Sequence, residues 1–415
     1  MQNQQGGKNG REHSKFQRGI KSNSPRFYVY DILQMPLNLH YLPLSLLLVI
    51  GLFSCGNPSA TNKANTGDSS KQDNTSKLTF FGVALEQFDE QGKPIWKVKA
   101  KQAKYTKEKE IGEAQSPEGE LYQDGKVVYT IKAETADIKQ DGKQLFLKGK
   151  IIATDPRNGT ILQGNELEWR PQEDLLIVRN QLNGTHKQLK ATAQEARVKT
   201  REQRLEFSGK VVATSADPQL QMRTEHLIWQ IKAEKLISDR PIEIDRYQDN
   251  KITDRGQGNA AEVNLKTKIA TLQPKAQLQL LDPPMQITSN SMTWNINQEI
   301  VKTNSPVRVF HQAENVTVTG NQAEMKISQK TVYLTGNVNA VGQRKQSLKS
   351  DQLTWNLDQK LLEAQGNIVY RQVEPPLNFQ GATAVGNLQT ENIVVKGGAS
   401  GNRVVTEIIP QDIAP

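Results

Sequence analysis

From residue 78 to residue 400 the chain alternates apolar and polar positions. Leu145 and Leu147 flank Phe146, Leu205 and Phe207 flank Glu206, Val332 and Leu334 flank Tyr333, and Leu167 and Trp169 flank Glu168. A period of two puts successive side chains on opposite faces and predicts strands with one buried face. Short polar links separate the runs, among them Gln140–Lys143, Asp155–Gly159, Ser328–Lys330 and Leu357–Lys360. Links of two to five such residues predict antiparallel hairpins. No capped stripe of period 3.6 interrupts the pattern, apart from a short helix that residues 106–113 would allow.

The alternation is organised in repeats. Trp169, Trp229, Trp294 and Trp355 close four similar phrases, Asn165–Trp169, Glu225–Trp229, Asn290–Trp294 and Asp351–Trp355, which recur about every 60 residues. A second phrase keeps the same period at Ala136, Ala196, Ala261 and Ala323, and each is followed at one fixed interval by Gly149, Gly209, Pro274 or Gly336. Ala103, Ala136, Leu167, Ala196, Leu227, Ala261, Met292, Ala323, Leu353 and Ala384 then align as equivalent positions with nearly even spacing. The elementary unit is therefore about 31 residues, used about ten times, with roughly two strands in each. The glycines at 149, 209, 336 and 366 are expected at bulges or bends.

A single sheet of this kind would leave its apolar face in water, at about 25 cal/mol per Å². It must fold over on itself or pack on a second sheet, and repetition then makes an elongated all-β solenoid with a continuous apolar interior. Twenty strands at about 4.8 Å span roughly 50 Å if divided between two sheets, or roughly 100 Å if each strand crosses both.

Composition adds an export signal. The apolar run Leu44–Phe53 is too short to span a bilayer, which takes about 20 residues, and has the length of a signal-peptide core. Behind it lies Cys55, the chain's one cysteine. Leu52-Phe53-Ser54-Cys55 resembles a lipoprotein cleavage site, which would make Cys55 a lipid anchor; an uncleaved signal anchor is the alternative. Translation from Met1 gives a long basic leader, and from Met35 an n-region without Lys or Arg. Residues 56–77 hold no Val, Ile, Leu or aromatic residue and are expected to form a flexible tether. The net charge of +9 falls to +5 without residues 1–54, which is weak support for nucleic-acid binding. The expected organisation is a leader and signal peptide at 1–54, anchor and tether at 55–77, a first β segment at 78–235, a second at 236–400, and a tail at 401–415.

The opening of the body carries a resemblance. Phe81-Gly82-Val83, then Asp89 to Ala100 with Trp96, then Ala103-Lys104-Tyr105, Gly119 to Gly125 and Ala133 to Ala136 resemble the opening of LptC, and the repeats resemble those of the LptC/OstA family of lipopolysaccharide-export proteins. The resemblance extends over about residues 78–400. It implies an elongated, twisted β-jelly-roll, or β-taco, with an apolar groove for the acyl chains of lipid A. The groove candidates are Trp96, Leu145, Leu147, Leu167, Trp169, Leu205, Phe207, Leu227, Trp229, Met292, Trp294, Val332, Leu334, Leu353 and Trp355. It further implies a periplasmic protein anchored at the inner membrane. Its N-terminal edge (Phe80, Phe81, Gly82, Val83) would dock on the periplasmic β-domains of an ABC transporter's permeases. Its C-terminal edge would dock on a bridge protein or on the N-terminal domain of the outer-membrane translocon. Glycolipid would pass along the groove toward the outer membrane. The body is about twice as long as a single LptC jelly-roll, which suggests that the chain also supplies part of the bridge.

Catalytic readings fare poorly. The five histidines lack metal-ligand spacing, and no nucleophile elbow or Ser/His/Asp grouping is present. Glu166 and Glu168 share a strand face and imitate a glycosidase pair, but a solvated polar face explains them better. The expectation is no enzyme, no metal and no cofactor. The competing readings are a structural or adhesive β-solenoid and a polysaccharide-processing enzyme on a β-helix scaffold. For each tryptophan, core packing and lipid contact both stand, and in a groove protein the two coincide.

Overall fold

The computed structural model describes residues 26–28, 77–106, 111–139, 144–187, 189–397 and 404–408. Cys55, the apolar run before it, tether residues 56–76, the link Gln140–Lys143 and most of the tail lie outside the described residues. The alternating runs become strands longer than one face needs. Leu145–Thr154, Ile161–Arg170, Leu175–His186, Leu189–Lys199, Arg204–Ala216 and Gln219–Gln230 have 10 to 13 residues each. From Lys235 to Gly320 the same path is made of short strands in succession, such as Lys235–Ser238 then Ile242–Gln248. Long strands return at Thr331–Val341, Ser347–Asn356, Leu361–Gln372 and Leu377–Asn387. All belong to one antiparallel sheet.

Each long strand bends near its middle, where the pairing slips. The slips fall between Lys148 and Ile151, Arg179 and Leu182, Ser208 and Val211, Thr335 and Val338, and Gln365 and Ile368. The residues skipped have left-handed backbone: Gly149 and Lys150 at φ 76° and 43°, Gly366 and Asn367 at 78° and 49°. Glycine adopts that conformation without steric cost. Space adds a second reason, since a Cβ on Gly149 would lie 2.1 Å from Glu134 Oε2 and one on Gly366 would lie 2.4 Å from Asp351 Oδ2. The glycines read as bends in the sequence are thus the floor on which a polar side chain of the adjoining, earlier stretch of chain rests. Aligned bulges crease the sheet lengthwise into two facing halves, so every long strand crosses both halves. That is the arrangement of the longer of the two spans considered above.

The repeat phrases are rows of this sheet. Leu145 pairs with Trp169, Trp169 with Leu176, Leu176 with Val198, Val198 with Leu205, and Leu205 with Trp229. The row continues through Leu236, Val263 and Ala270 to Trp294, then through Val301, Met325 and Val332 to Trp355 and Leu362. A tryptophan therefore arrives at every fourth strand of one half. Ala103, Ala114, Ala136, Leu147 and Leu167 belong to the neighbouring row.

The short helix allowed near residues 106–113 does not form where the chain is described. Pro94–Thr106 and Ile111–Gln115 are strands. Ala114, fully buried, sits between Ala103 and Ala136, so a helix would break the row.

Candidate functional site

The crease places all the groove candidates inside. Their exposures run from 0 to 2%. All but Trp96 line the same half of the sheet. Trp96 pairs with Leu121 on the facing half, next to Ile95, whose carbonyl accepts a hydrogen bond from Trp169 Nε1 at 3.4 Å. The two halves are in contact. A Cβ on Gly184 would lie 3.2 Å from Phe207, and one on Gly256 would lie 3.0 Å from Leu272 and 3.3 Å from Trp294. Large residues of one half thus fit against glycines of the other. At these points the two halves pack directly on each other, and the buried apolar side chains form one continuous cluster. Two polar atoms within it, Tyr129 Oη and Trp294 Nε1, are buried without a hydrogen-bond partner.

Opposite the crease, the halves end in two rows of turns that form a mouth. In one row the turns repeat an apolar residue followed three positions later by a charged one: Ile231 and Glu234, Leu265 and Lys268, Ile296 and Glu299, Ile327 and Lys330, Leu357 and Lys360, Leu388 and Glu391. The charged residue is left-handed each time. The apolar residue donates its N–H to the carbonyl of the charged residue one turn before, as Leu265 does to Glu234 at 2.9 Å and Leu357 to Lys330 at 2.9 Å. This row is therefore stitched along its length by backbone hydrogen bonds.

Across the mouth the links are made by side chains. Glu234 reaches Lys187 at 3.7 Å, Lys268 reaches Asp217 at 2.7 Å, Glu299 reaches Arg246 at 2.5 Å, Lys360 reaches Glu314 at 2.8 Å and Glu391 reaches Arg344 at 2.9 Å. Arg201 pairs with Asp124 at 2.9 Å, holding that carboxyl below its ordinary range, and Arg157 donates to the Thr200 carbonyl at 2.9 Å. An exposed pair such as Lys187–Glu234 is a weak fastener, on the order of 0.5 kcal/mol and sensitive to salt. Arg246 differs, because it also binds the buried Asp254, whose carboxyl burial pushes up against the pull of Arg246.

Two histidines stand just inside the mouth over tryptophans, His186 at 5.4 Å from Trp229 and His311 at 5.5 Å from Trp355 between ring centres. Burial lowers the pKa of both. Lys187 adds to the lowering at His186, against an Asn158 backbone hydrogen bond, Glu234 and Asp155; at His311, Glu314 opposes it and Lys360 assists. The unfolded chain, with imidazoles near 6.5, then takes up protons that the folded chain resists. Their contribution to stability is full above that range and is lost as pH falls through it toward the lower folded values. Urea midpoints are expected to drop on acidification from pH 7.5 to 5.5, and less so in the His186→Gln/His311→Gln variant. An equal drop in both proteins would assign the acid sensitivity elsewhere.

Phe81, on the predicted docking edge, is 75% exposed, Val83 points inward and Phe80 is half-buried. Their strand, Lys77–Phe88, pairs on one side with Pro94–Thr106 and on the other with Arg26–Tyr28 at Ala84 to Glu86. Among the described residues nothing pairs with the outer side of residues 77–83. Glu168 is buried between Arg170 and Arg179, and His226 bonds Asp239, so both serve the surface network. Among the described residues no group of three or more His, Cys, Asp or Glu could hold a metal, and no helix is long and apolar enough to cross a membrane.

The class defined by this geometry is a creased antiparallel β-solenoid with a continuous apolar interior and an ion-paired mouth. The family model for lipopolysaccharide-assembly, LptC-related proteins matches residues 44–178, 175–280 and 309–403, and the chain belongs to that family. No curated protein matches. Among solved structures the chain is similar to LptH of Pseudomonas aeruginosa, described as the LptA homologous periplasmic component of the conserved lipopolysaccharide transport device. Identity is 15% over 31% of this chain and 97% of that one, with a TM-score of 0.28.

Proposed function

We propose that the protein is a periplasmic component of lipopolysaccharide export and carries the acyl chains between the two halves of its sheet. The observation that carries this reading is the continuity of the apolar interior, from Leu145 through the four in-register tryptophans to Leu362. Each methylene moved into water costs about 0.8 kcal/mol, so a lipid in transit needs apolar cover without gaps. Exchanging Trp–Leu contacts for Trp–acyl contacts keeps that cover. The outer edge of residues 77–83 suits strand addition by the permease β-domains of an inner-membrane ABC transporter. Asn392–Lys396 and Val405–Ile408, at the far end of the sheet, suit addition by a bridge protein or the outer-membrane translocon. Cys55 supplies the membrane anchor, as a lipidated N-terminus or within an uncleaved signal.

A structural or adhesive solenoid is the competing reading, and the packed interior favours it. Lipopolysaccharide with brominated acyl chains separates the two, because bromine quenches tryptophan fluorescence only at contact. The transport reading expects most of the emission to be lost on binding. Unchanged emission at saturating lipid would leave the structural reading.

A further inference from the structure

The mouth is fastened unlike the rest of the fold. At the crease the halves are joined by continuous strands or by the short links between successive strands, and along one border the turns share backbone hydrogen bonds. Across the mouth there is one side-chain link for nearly every turn. The sign of these links changes along the border while complementarity holds: the turns present Glu234, then Lys268, then Glu299, and the facing border, earlier in the chain by a nearly constant interval, presents the opposite charge each time. Charge placed only for solubility would not follow its partner through these reversals. Clefts also open between the borders. One of about 580 Å³ lies at Arg246 and Glu299. Another of about 150 Å³ lies beneath the Arg344–Glu391 pair and reaches the interior residues Leu362 and Tyr370.

We propose that the mouth is a lateral entry seam for an anionic, multi-acyl amphiphile. The headgroup's phosphates or carboxylates exchange with the carboxylates that hold the seam's cations. The acyl chains then slide sideways between the halves, one turn at a time. Lys187, Lys268, Lys360 and Arg344 are the cations released to the headgroup. Arg246, which also holds the buried Asp254, is the last of the cations to let go of its partner across the mouth. The exchange breaks only ion pairs. The proposal rests on the transport reading above, and it adds the route of entry and the residues that open.

The test is a cross-link across the seam. In a Cys55→Ser background, Asp217→Cys and Lys268→Cys are joined by a short bis-maleimide, and uptake of brominated lipopolysaccharide is followed by tryptophan quenching. The control joins Lys330→Cys to Asp358→Cys, an ion pair at 3.1 Å between two turns of the same border, which does not span the mouth. The seam cross-link is expected to slow quenching at least tenfold relative to the same protein before cross-linking, and the control to leave it unchanged. Equal rates with the seam open or linked, or equal slowing by both cross-links, would overturn lateral entry while leaving the transport reading intact. Absence of quenching before any cross-link would overturn the transport reading and the seam together.

Discussion

Replacing Trp229 by alanine is expected to cost about 3–5 kcal/mol, the range for removing a large aromatic residue from a packed core. Trp229 is 2% exposed, stacks on Phe207 at 6.4 Å and touches His186. A protein with a typical total of about 5–15 kcal/mol would lose much of it. Here the damage should stay local, because in a repeat array each unit contacts only its neighbours. Hydrogen exchange should show lost protection in Arg204–Ala216, Gln219–Gln230 and Lys235–Ser238, with protection kept in Leu361–Gln372. Uniform loss along the chain would mean that the sheet unfolds as one cooperative unit.

Arg246→Leu is expected to cost about 3 kcal/mol at neutral pH, the penalty for leaving one partner of a buried pair. Its side chain is 11% exposed and lies between Asp254, 3% exposed, and Glu299. Without the guanidinium the buried Asp254 carboxylate keeps only the Thr253 hydroxyl, with the Glu299 carboxylate repelling it. Burial already holds the Asp254 pKa up, so in the variant that carboxyl takes a proton more readily still. The penalty should shrink as pH is lowered toward 5, and the Arg246→Leu/Asp254→Leu double variant should recover most of the loss. Urea midpoints at pH 7.5 and 5 measure both effects. A penalty independent of pH would show that packing, rather than charge, is what Arg246 contributes.

The sequence made the interior legible because burial there demands residue type at fixed spacing. Tryptophan returning once in every two units is a row of one sheet, and Ala136, Ala196 and Ala261 are members of the next row. Gly149 and Gly366 were readable as bends because glycine takes up left-handed backbone without steric cost. Their second role, as the floor under Glu134 and Asp351, was not readable, since it depends on which strand lies alongside. The mouth was missed for a similar reason. Its local signal, an apolar residue followed three positions later by Glu or Lys, is present from Ile231 to Glu391, but the sign of the charge varies. Only pairing at long range, such as Lys187 with Glu234, gives that variation meaning. Closure of the interior was equally out of reach, because the fit of Gly256 against Trp294 joins residues that alternation alone cannot relate.

The central claim is that acyl chains travel between the two halves of the sheet, and photo-crosslinking tests it most directly. A photoreactive residue is placed at Leu227 or Leu353, both 1% exposed and inward, and for comparison at the outward position Glu206. Cells are irradiated with the lipopolysaccharide exporter active and then with it depleted of ATP. The account predicts lipopolysaccharide adducts at Leu227 and Leu353 that depend on the active exporter, and few at Glu206. Adducts confined to Glu206, or none at the inward positions while export proceeds, would contradict it.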